Sequence, residues 1–216
     1  MGLGISDVSG MLGKNFWPVR LVGAGLLVAA AIGAVAQHQL FDGFGGSSFE
    51  AAATGTQRAV QDGNARAVLA LTSSEDIRDY GLTEEKVGKL LVWFKEHGGK
   101  FSGKGDFQHT QESGFLFSGQ TMMAFTRQPN GWKADTVEGL VQGVIYSNHL
   151  DIQYLPHEKD LALWAASYRE LGPGLRSIGL DGIVIQDKTQ SWESLAKVNQ
   201  SEADKLATWN AAHKTR

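Results

Sequence analysis

One uninterrupted apolar stretch near the N-terminus constrains the organisation of the whole chain. Residues 21–36 read LVGAGLLVAAAIGAVA and contain no charged or strongly polar side chain. Together with their flanking residues they reach the length of a membrane-spanning helix, about 17–25 residues. We therefore predict a single transmembrane anchor over residues 16–41, preceded by a short cytoplasmic N-terminus over residues 1–15.

Charged and aromatic residues at the ends of the stretch indicate its orientation. Trp17 suits the membrane interface, and Arg20 can extend its side chain toward the lipid head groups. Lys14 and Arg20 precede the stretch, whereas the first charges after it are Asp42 and Glu50. The positive-inside rule then predicts a single-pass protein of the cytoplasmic (inner) membrane, with its N-terminus inside and its C-terminal part periplasmic or extracellular.

Small residues recur every four positions within the stretch, at Gly25, Ala29 and Gly33. This spacing lets two membrane helices approach closely, so the face is a candidate helix–helix contact. Two other interpretations of the stretch stay open. The Ala-Val-Ala sequence that ends at Ala36 fits a signal-peptide cleavage site, and a buried core helix is the third possibility.

Composition and spacing exclude several functional classes. The 216 residues carry a net charge of −3 without a basic cluster, so nucleic acid is not an expected partner. Cysteine is absent, which rules out disulfides, thiolate metal sites and a cysteine nucleophile. The six histidines lack H-x-x-x-H and H-E-x-x-H spacing, and the serines lack a G-x-S-x-G context. We therefore predict no metal, no cofactor and no catalytic residue.

A glycine- and serine-rich hinge over residues 42–48 separates the anchor from a helical segment. Helices are predicted over residues 49–61 and 65–72, with a shorter one over residues 73–80. A longer helix starts after Thr83, a capping residue that two acidic residues follow. Its apolar residues stand at i, i+3, i+4 and i+7, which predicts one buried face.

Strand-like patterns dominate after residue 100. Alternation and the turn cluster over residues 128–131 predict an antiparallel meander with a hairpin. We expect residues 140–146 to continue the last strand of this meander or to start another, and residues 179–185 to form a short strand. Helices are predicted over residues 157–171, 191–198 and 201–213, the first stopped by the Gly-Pro-Gly sequence that follows it.

The order of these elements, and three segments in particular, carries a family resemblance. The segments are the helical pair at residues 49–71, the strand at residues 116–127 and the Pro-Asn-Gly-Trp-Lys-Ala-Asp sequence at residues 129–135. Over about residues 49–150 the chain resembles the cystatin-like roll of the nuclear-transport-factor-2-like superfamily. The resemblance implies an α+β domain over residues 49–155, in which helices pack on a curved antiparallel sheet. A helical extension over residues 156–216 departs from the minimal roll.

An anchor followed by such a roll is also similar in layout to two groups of membrane-complex proteins. They are the single-span assembly subunit of type IV secretion systems and the anchored accessory proteins of lipid-import complexes. Both use the roll to bind partner proteins. The resemblance therefore implies an accessory or scaffold subunit whose partners are the lipid bilayer and other subunits of a membrane complex.

Two alternative functions use the interior of the roll. A cavity there would bind a small apolar ligand. The candidate pocket residues are His109, Trp132, Phe117 and Phe125. The third alternative is an enzyme of the roll superfamily, in which His109 works with Asp106 or Glu112. Separately, His149 and Asp151 stand two positions apart and are a candidate acid–base or metal pair.

Overall fold

The structure, a computed structural model, describes residues 48–101, 104–119, 121–149, 158–185 and 187–213. The predicted anchor lies outside these residues, together with Trp17, Arg20 and the small-residue face that includes Gly25. Within the described ranges, no helix is both long and apolar enough to cross a bilayer. The described chain is α+β, with a four-stranded antiparallel sheet and several helices.

Four helices come first: α1 (Phe49–Gln61), α2 (Ala65–Leu71), α3 (Ser74–Tyr80) and α4 (Glu84–Glu96). Each begins at a polar side chain that accepts a hydrogen bond from the backbone N–H three residues later. These caps are Ser48, Asn64, Ser73 and Thr83. Gly81 ends α3 with a φ of 55°, in the left-handed region that favours glycine. The four predicted helices are thus confirmed.

The sheet contains β1 (Asp106–His109), β2 (Ser113–Ser118), β3 (Thr121–Gln128) and β4 (Gly131–Ala134). The strands are antiparallel and follow one another in chain order, and the hairpin predicted over residues 128–131 joins β3 to β4. Side chains alternate between two faces. We call the face with Gly114, Leu116, Ser118, Thr121, Met123 and Phe125 the inner face. The outer face carries Gln108, Phe115, Phe117, Met122 and Ala124.

The segment after β4 is a helix, α5 (Thr136–Asn148), so the strand predicted over residues 140–146 is wrong. Ten of its thirteen residues are buried. A helix that is apolar on nearly all sides has no helical periodicity to distinguish it from a buried strand. It packs on the inner face, where Gly139 approaches Met123 and Gly143 approaches Thr121.

Helix α1 shares the inner face with α5. The ring of Phe49 lies 5.4 Å from that of Phe125 and 5.1 Å from that of Trp132, measured between centroids. A Cβ atom on Gly114 would overlap the Phe49 ring. The absence of a side chain at this position therefore lets the start of α1 lie directly on β2.

The C-terminal part contains α6 (Glu158–Ser177), β5 (Gly182–Ile185), β6 (Lys188–Ser191) and α7 (Trp192–His213). The short strand predicted over residues 179–185 is confirmed, and it forms a hairpin with the unpredicted β6. Two helix boundaries are wrong. Helix α6 continues through Pro173 to Ser177, and the two predicted terminal helices are one continuous helix, α7.

Helices α6 and α7 pack against each other and join the same hydrophobic core as the sheet. Trp192 is completely buried, and its Nε1–H donates a hydrogen bond of 2.7 Å to the carbonyl of Leu180. Its ring stacks on Tyr168 with a centroid distance of 5.9 Å. The hydroxyl of Tyr80 accepts a 3.2 Å hydrogen bond from the backbone of Val184, which ties α3 to β5.

Candidate functional site

Three of the four predicted pocket residues lie together around the first turn of α1. The rings of His109 and Trp132 are 6.1 Å apart, and Phe125 joins them through the ring of Phe49, 5.4 Å away. Phe49 occupies the space between the three, with its centroid 4.9 Å from that of His109. The space that a ligand would occupy in this cluster is therefore filled by the side chain of Phe49. Phe117, the fourth candidate, lies apart on the outer face, where its ring is 6.2 Å from that of Phe115.

The carboxylate beside His109 comes from α1. Nε2 of His109 lies 3.3 Å from Oε1 of Glu50, and its Nδ1 donates to the carbonyl of Thr110 at 3.0 Å. A hydrogen bond from its own backbone N–H lowers the pKa of Glu50, and His109 adds to the effect. Asp106 lies on the outer face, so the structure does not place it against His109. The pair is half open to solvent and serves to hold α1 at the end of β1.

A second polar cluster surrounds the N-terminus of α5. The side chain of Asp76, from α3, accepts a 3.0 Å hydrogen bond from the backbone N–H of Val137. Asp76 is only 8% exposed. Burial raises the pKa of this carboxyl well above its ordinary value, and the negative charges of Asp135 and Glu138 raise it further. Asp135 itself forms no side-chain cap on α5.

Two buried tyrosines extend this cluster. Burial raises the pKa of Tyr80 and of Tyr168, and the nearby charge of Glu138 adds to both effects. These hydroxyls stay protonated across the physiological range. Sequence reasoning missed the cluster, although one signal was present: Asp76 stands three residues after the cap Ser73, the spacing of a capping box. That spacing indicates that Asp76 caps its own helix, α3, whereas in the structure its side chain caps α5.

A polar groove of about 560 Å³ lies where the C-terminal ends of α4 and α5 meet α6. Asn148 donates a 3.0 Å hydrogen bond to the carbonyl of His97. Nδ1 of His97 donates to the carbonyl of Trp93 at 2.8 Å, which leaves Nε2 as an acceptor in the neutral ring. His149 and Glu170 also line the groove. Its donors and acceptors suit a small polar molecule.

Neither the groove nor the polar clusters form a metal site in the part of the chain that the structure describes. No group of three or more histidine, aspartate or glutamate side chains converges there in a geometry that holds an ion. His149 lies in the groove, and Asp151, its predicted companion, lies outside the described residues.

The C-terminal end of α7 forms the most exposed aromatic surface of the described chain. Trp209 is 49% exposed, and its ring stacks on that of His213 at a centroid distance of 4.3 Å. Lys205, Thr208 and Ala212 lie around it on the same side of the helix. From residue 204 onward every residue of α7 is exposed or only partly buried. This helix end therefore extends beyond the core.

Comparison of the chain with protein-family models, with curated proteins and with solved structures found no match.

Proposed function

We propose that this protein is a membrane-anchored accessory or scaffold subunit that binds other proteins of a membrane complex. Residues 16–41 hold it in the cytoplasmic membrane, with the N-terminus inside and the α+β domain in the periplasm or outside the cell. The observation that carries the binding role is the exposed Trp209 at the end of α7.

An exposed tryptophan on a projecting helix suits protein recognition. Tryptophan is enriched among the residues that contribute most to binding energy at protein interfaces. Trp209 is held by the stack on His213, so little side-chain entropy remains to be lost when a partner covers it. Lys205 and Thr208 beside it supply a polar rim. The partner surface that fits this helix end is an apolar pocket bordered by hydrogen-bond acceptors.

The domain is further proposed to be a relative of the cystatin-like roll. In support, α1 and α5 lie on one face of a four-stranded meander, as helices do in such rolls. The apolar-ligand alternative receives less support, because the ring of Phe49 fills the space among His109, Trp132 and Phe125. The enzyme alternative receives less support at His109, because Asp106, one of its two predicted partners, lies on the opposite face of the sheet.

A photo-crosslinking amino acid at position 209 tests the proposal in the native membrane. The full chain is expressed in its own host with the crosslinker at residue 209 or, as a control, at residue 92. Val92 is an exposed apolar residue of α4, 56% exposed, and is outside the proposed surface. Crosslinked products are purified in mild detergent and identified by mass spectrometry.

We expect a discrete crosslinked membrane protein at position 209 and none at position 92. Trp209→Ala should at least halve recovery of that same protein and leave the unfolding temperature unchanged. Recovery of an uncrosslinked monomer from both positions would contradict the scaffold role. Recovery of the chain in the soluble fraction would contradict the anchor, which is a separate part of the proposal.

A further inference from the structure

Three polar side chains that line the groove between α4, α5 and α6 donate hydrogen bonds to the backbone. Nδ1 of His97 lies 2.8 Å from the carbonyl of Trp93, and Nδ2 of Asn148 donates at 3.0 Å to the carbonyl of His97. The hydroxyl of Ser167 donates at 2.9 Å to the carbonyl of Leu163, one turn earlier in α6. The donors of these side chains are thus directed at backbone carbonyls of the protein itself.

The atoms that these side chains retain for the groove are mainly acceptors. A carbonyl can only accept, so Nδ1 of His97 carries the proton and Nε2 of the neutral ring is an acceptor. Oδ1 of Asn148 and the lone pairs of the Ser167 hydroxyl are acceptors as well. The groove therefore suits a ligand that donates hydrogen bonds.

The imidazole of His97 is held in a fixed orientation. Its ring stacks on that of Trp93 with a centroid distance of 4.9 Å, in addition to the bond with the Trp93 carbonyl. Nε2 lies toward α6, 3.9 Å from the position that a Cβ atom would take on Gly174. Gly174 follows Glu170 by one helical turn, so the two positions are neighbours on α6. The free acceptor of His97 therefore faces the same side of α6 as Glu170.

The charges around the groove favour a cation. Glu96 and Glu170 line it, and the lining residues that the structure describes include no lysine or arginine. Helix α4 ends at Glu96 and α5 ends at Asn148, and the partial negative charge of a helix C-terminus attracts positive charge. An anionic ligand would be repelled by each of these features.

The size of the groove indicates an organic cation. Its volume of about 560 Å³ lies within the range of small-molecule sites, about 300–1,000 Å³. Ile145 and Leu171 add apolar surface to the lining. Among the described residues, no three histidine, aspartate or glutamate side chains converge closely enough to hold a metal ion. The carboxylates therefore contribute charge to the groove rather than a set of metal ligands.

We propose that this groove binds a small primary amine in its ammonium form. The ammonium group donates a hydrogen bond to Nε2 of His97, and the carboxylates of Glu96 and Glu170 attract its charge. The alkyl chain of the amine contacts Ile145 and Leu171. This site is separate from the exposed end of α7, so the inference does not depend on partner binding there.

Nuclear magnetic resonance of histidine labelled with nitrogen-15 tests the site in the full chain, purified in mild detergent. The chain has six histidines, and loss of one signal in H97Q identifies His97. Butylamine, added as its hydrochloride at neutral pH, is the probe. Tetramethylammonium has the same charge and the same number of carbon atoms but no N–H group, and butyrate has the opposite charge. Each compound is titrated at constant ionic strength.

We expect butylamine to shift the Nε2 signal of His97 saturably, and the other two compounds to shift it at least fivefold less at equal concentration. E170Q removes one charge from an exposed side chain and should keep the unfolding temperature. This variant should raise the butylamine concentration at half-saturation at least threefold. E84Q removes an exposed carboxylate at the opposite end of α4 and should leave that concentration unchanged.

Several results would overturn the proposal. An equal shift with tetramethylammonium would show that charge alone attracts the probe, without a hydrogen bond to His97. Absence of a saturable shift with butylamine, or the same half-saturation in E170Q as in the unmodified chain, would also contradict the site. Shifts of equal size at His109 and His213, which lie outside the groove, would mean that the amine binds the surface without selectivity.

Discussion

The side chain of Asp76 accepts a hydrogen bond from the backbone N–H of Val137 at 3.0 Å, across 61 positions of the chain. A residue of α3 thereby caps the first turn of α5, a role that a local residue usually fills. The carboxyl is buried and has two acidic neighbours, so this bond is made by a group whose ionised form is disfavoured.

Replacement of Asp76 by asparagine should remove a pH dependence of stability. A carboxyl with a raised pKa binds its proton more tightly in the folded state. The protonated carboxyl of Asp76 therefore stabilises the folded state. This contribution to the free energy of unfolding is fully present below the pKa of the unfolded chain, about 3.9, and is lost as pH rises through the pKa of the folded state. Asparagine keeps the acceptor for Val137 and cannot ionise. The free energy of unfolding of D76N, measured by denaturant titration, should exceed that of the unmodified protein increasingly from pH 4 to pH 8.

Two variants complete this measurement. D76A also removes the acceptor and should cost about 0.5–2 kcal/mol relative to D76N. D62N changes an exposed aspartate at the end of α1 and should show no such trend. A stability difference between D76N and the unmodified protein that stays constant from pH 4 to pH 8 would contradict the raised pKa.

The close approach of Phe49 to Gly114 predicts an interaction between two substitutions. F49A removes a buried ring from the core and should cost about 3–5 kcal/mol. G114A places a methyl group where the ring lies and should cost about 1–3 kcal/mol. In the double variant the methyl group has room, so its cost should fall by at least about 1 kcal/mol. Additive effects in denaturant titrations would mean that the two positions are not in contact.

Two tryptophans at opposite ends of α7 should respond differently to truncation. Trp192 is completely buried and hydrogen bonded to Leu180, so W192A should lower the free energy of unfolding by about 3–5 kcal/mol. Trp209 is half exposed, so W209A should change it by less than about 0.5 kcal/mol. Thermal and denaturant unfolding of the two variants measure this contrast. A large loss in W209A would show that Trp209 is a core residue.

Two glycines should respond to alanine with opposite signs. Gly81 has a φ of 55°, where a Cβ atom is strained, so G81A should cost about 1–2 kcal/mol. Gly88 lies inside α4, where its Cβ position is 3.7 Å from Ala65, an ordinary contact. G88A should therefore stabilise the protein by about 0.5–1 kcal/mol. Unfolding temperatures of the two variants that move in the same direction would contradict this reading of the backbone.

Local signals predicted the first half of the fold well. Thr83 and the acidic residues after it fix the start of α4, and Val87, Leu90 and Leu91 are buried as their spacing predicts. The turn before Gly131 likewise predicts the β3–β4 hairpin. Each of these signals lies within a few residues, along the sequence, of the helix or turn that it determines. It can therefore be recognised without knowledge of the fold.

Long-range contacts determine what the sequence did not predict. Helix α5 is buried on almost every side and takes its cap from Asp76, so neither periodicity nor a local cap identifies it. Pro173 removes one hydrogen bond from α6, but packing of this helix against α7 carries it past the proline. The predicted pocket residues His109 and Phe125 lie on either side of Gly114, and the side chain that fills the space between them, Phe49, belongs to another element.

The bond between the hydroxyl of Tyr80 and the backbone of Val184 joins residues 104 positions apart. A chain shortened to end at His149 would lose this bond and the apolar cover that Leu175, Leu180 and Trp192 give to the shared core. The last third of the protein is thus not a detachable module. The described domain should unfold in one cooperative transition, and a protease that cuts between α5 and α6 should leave two fragments that remain associated.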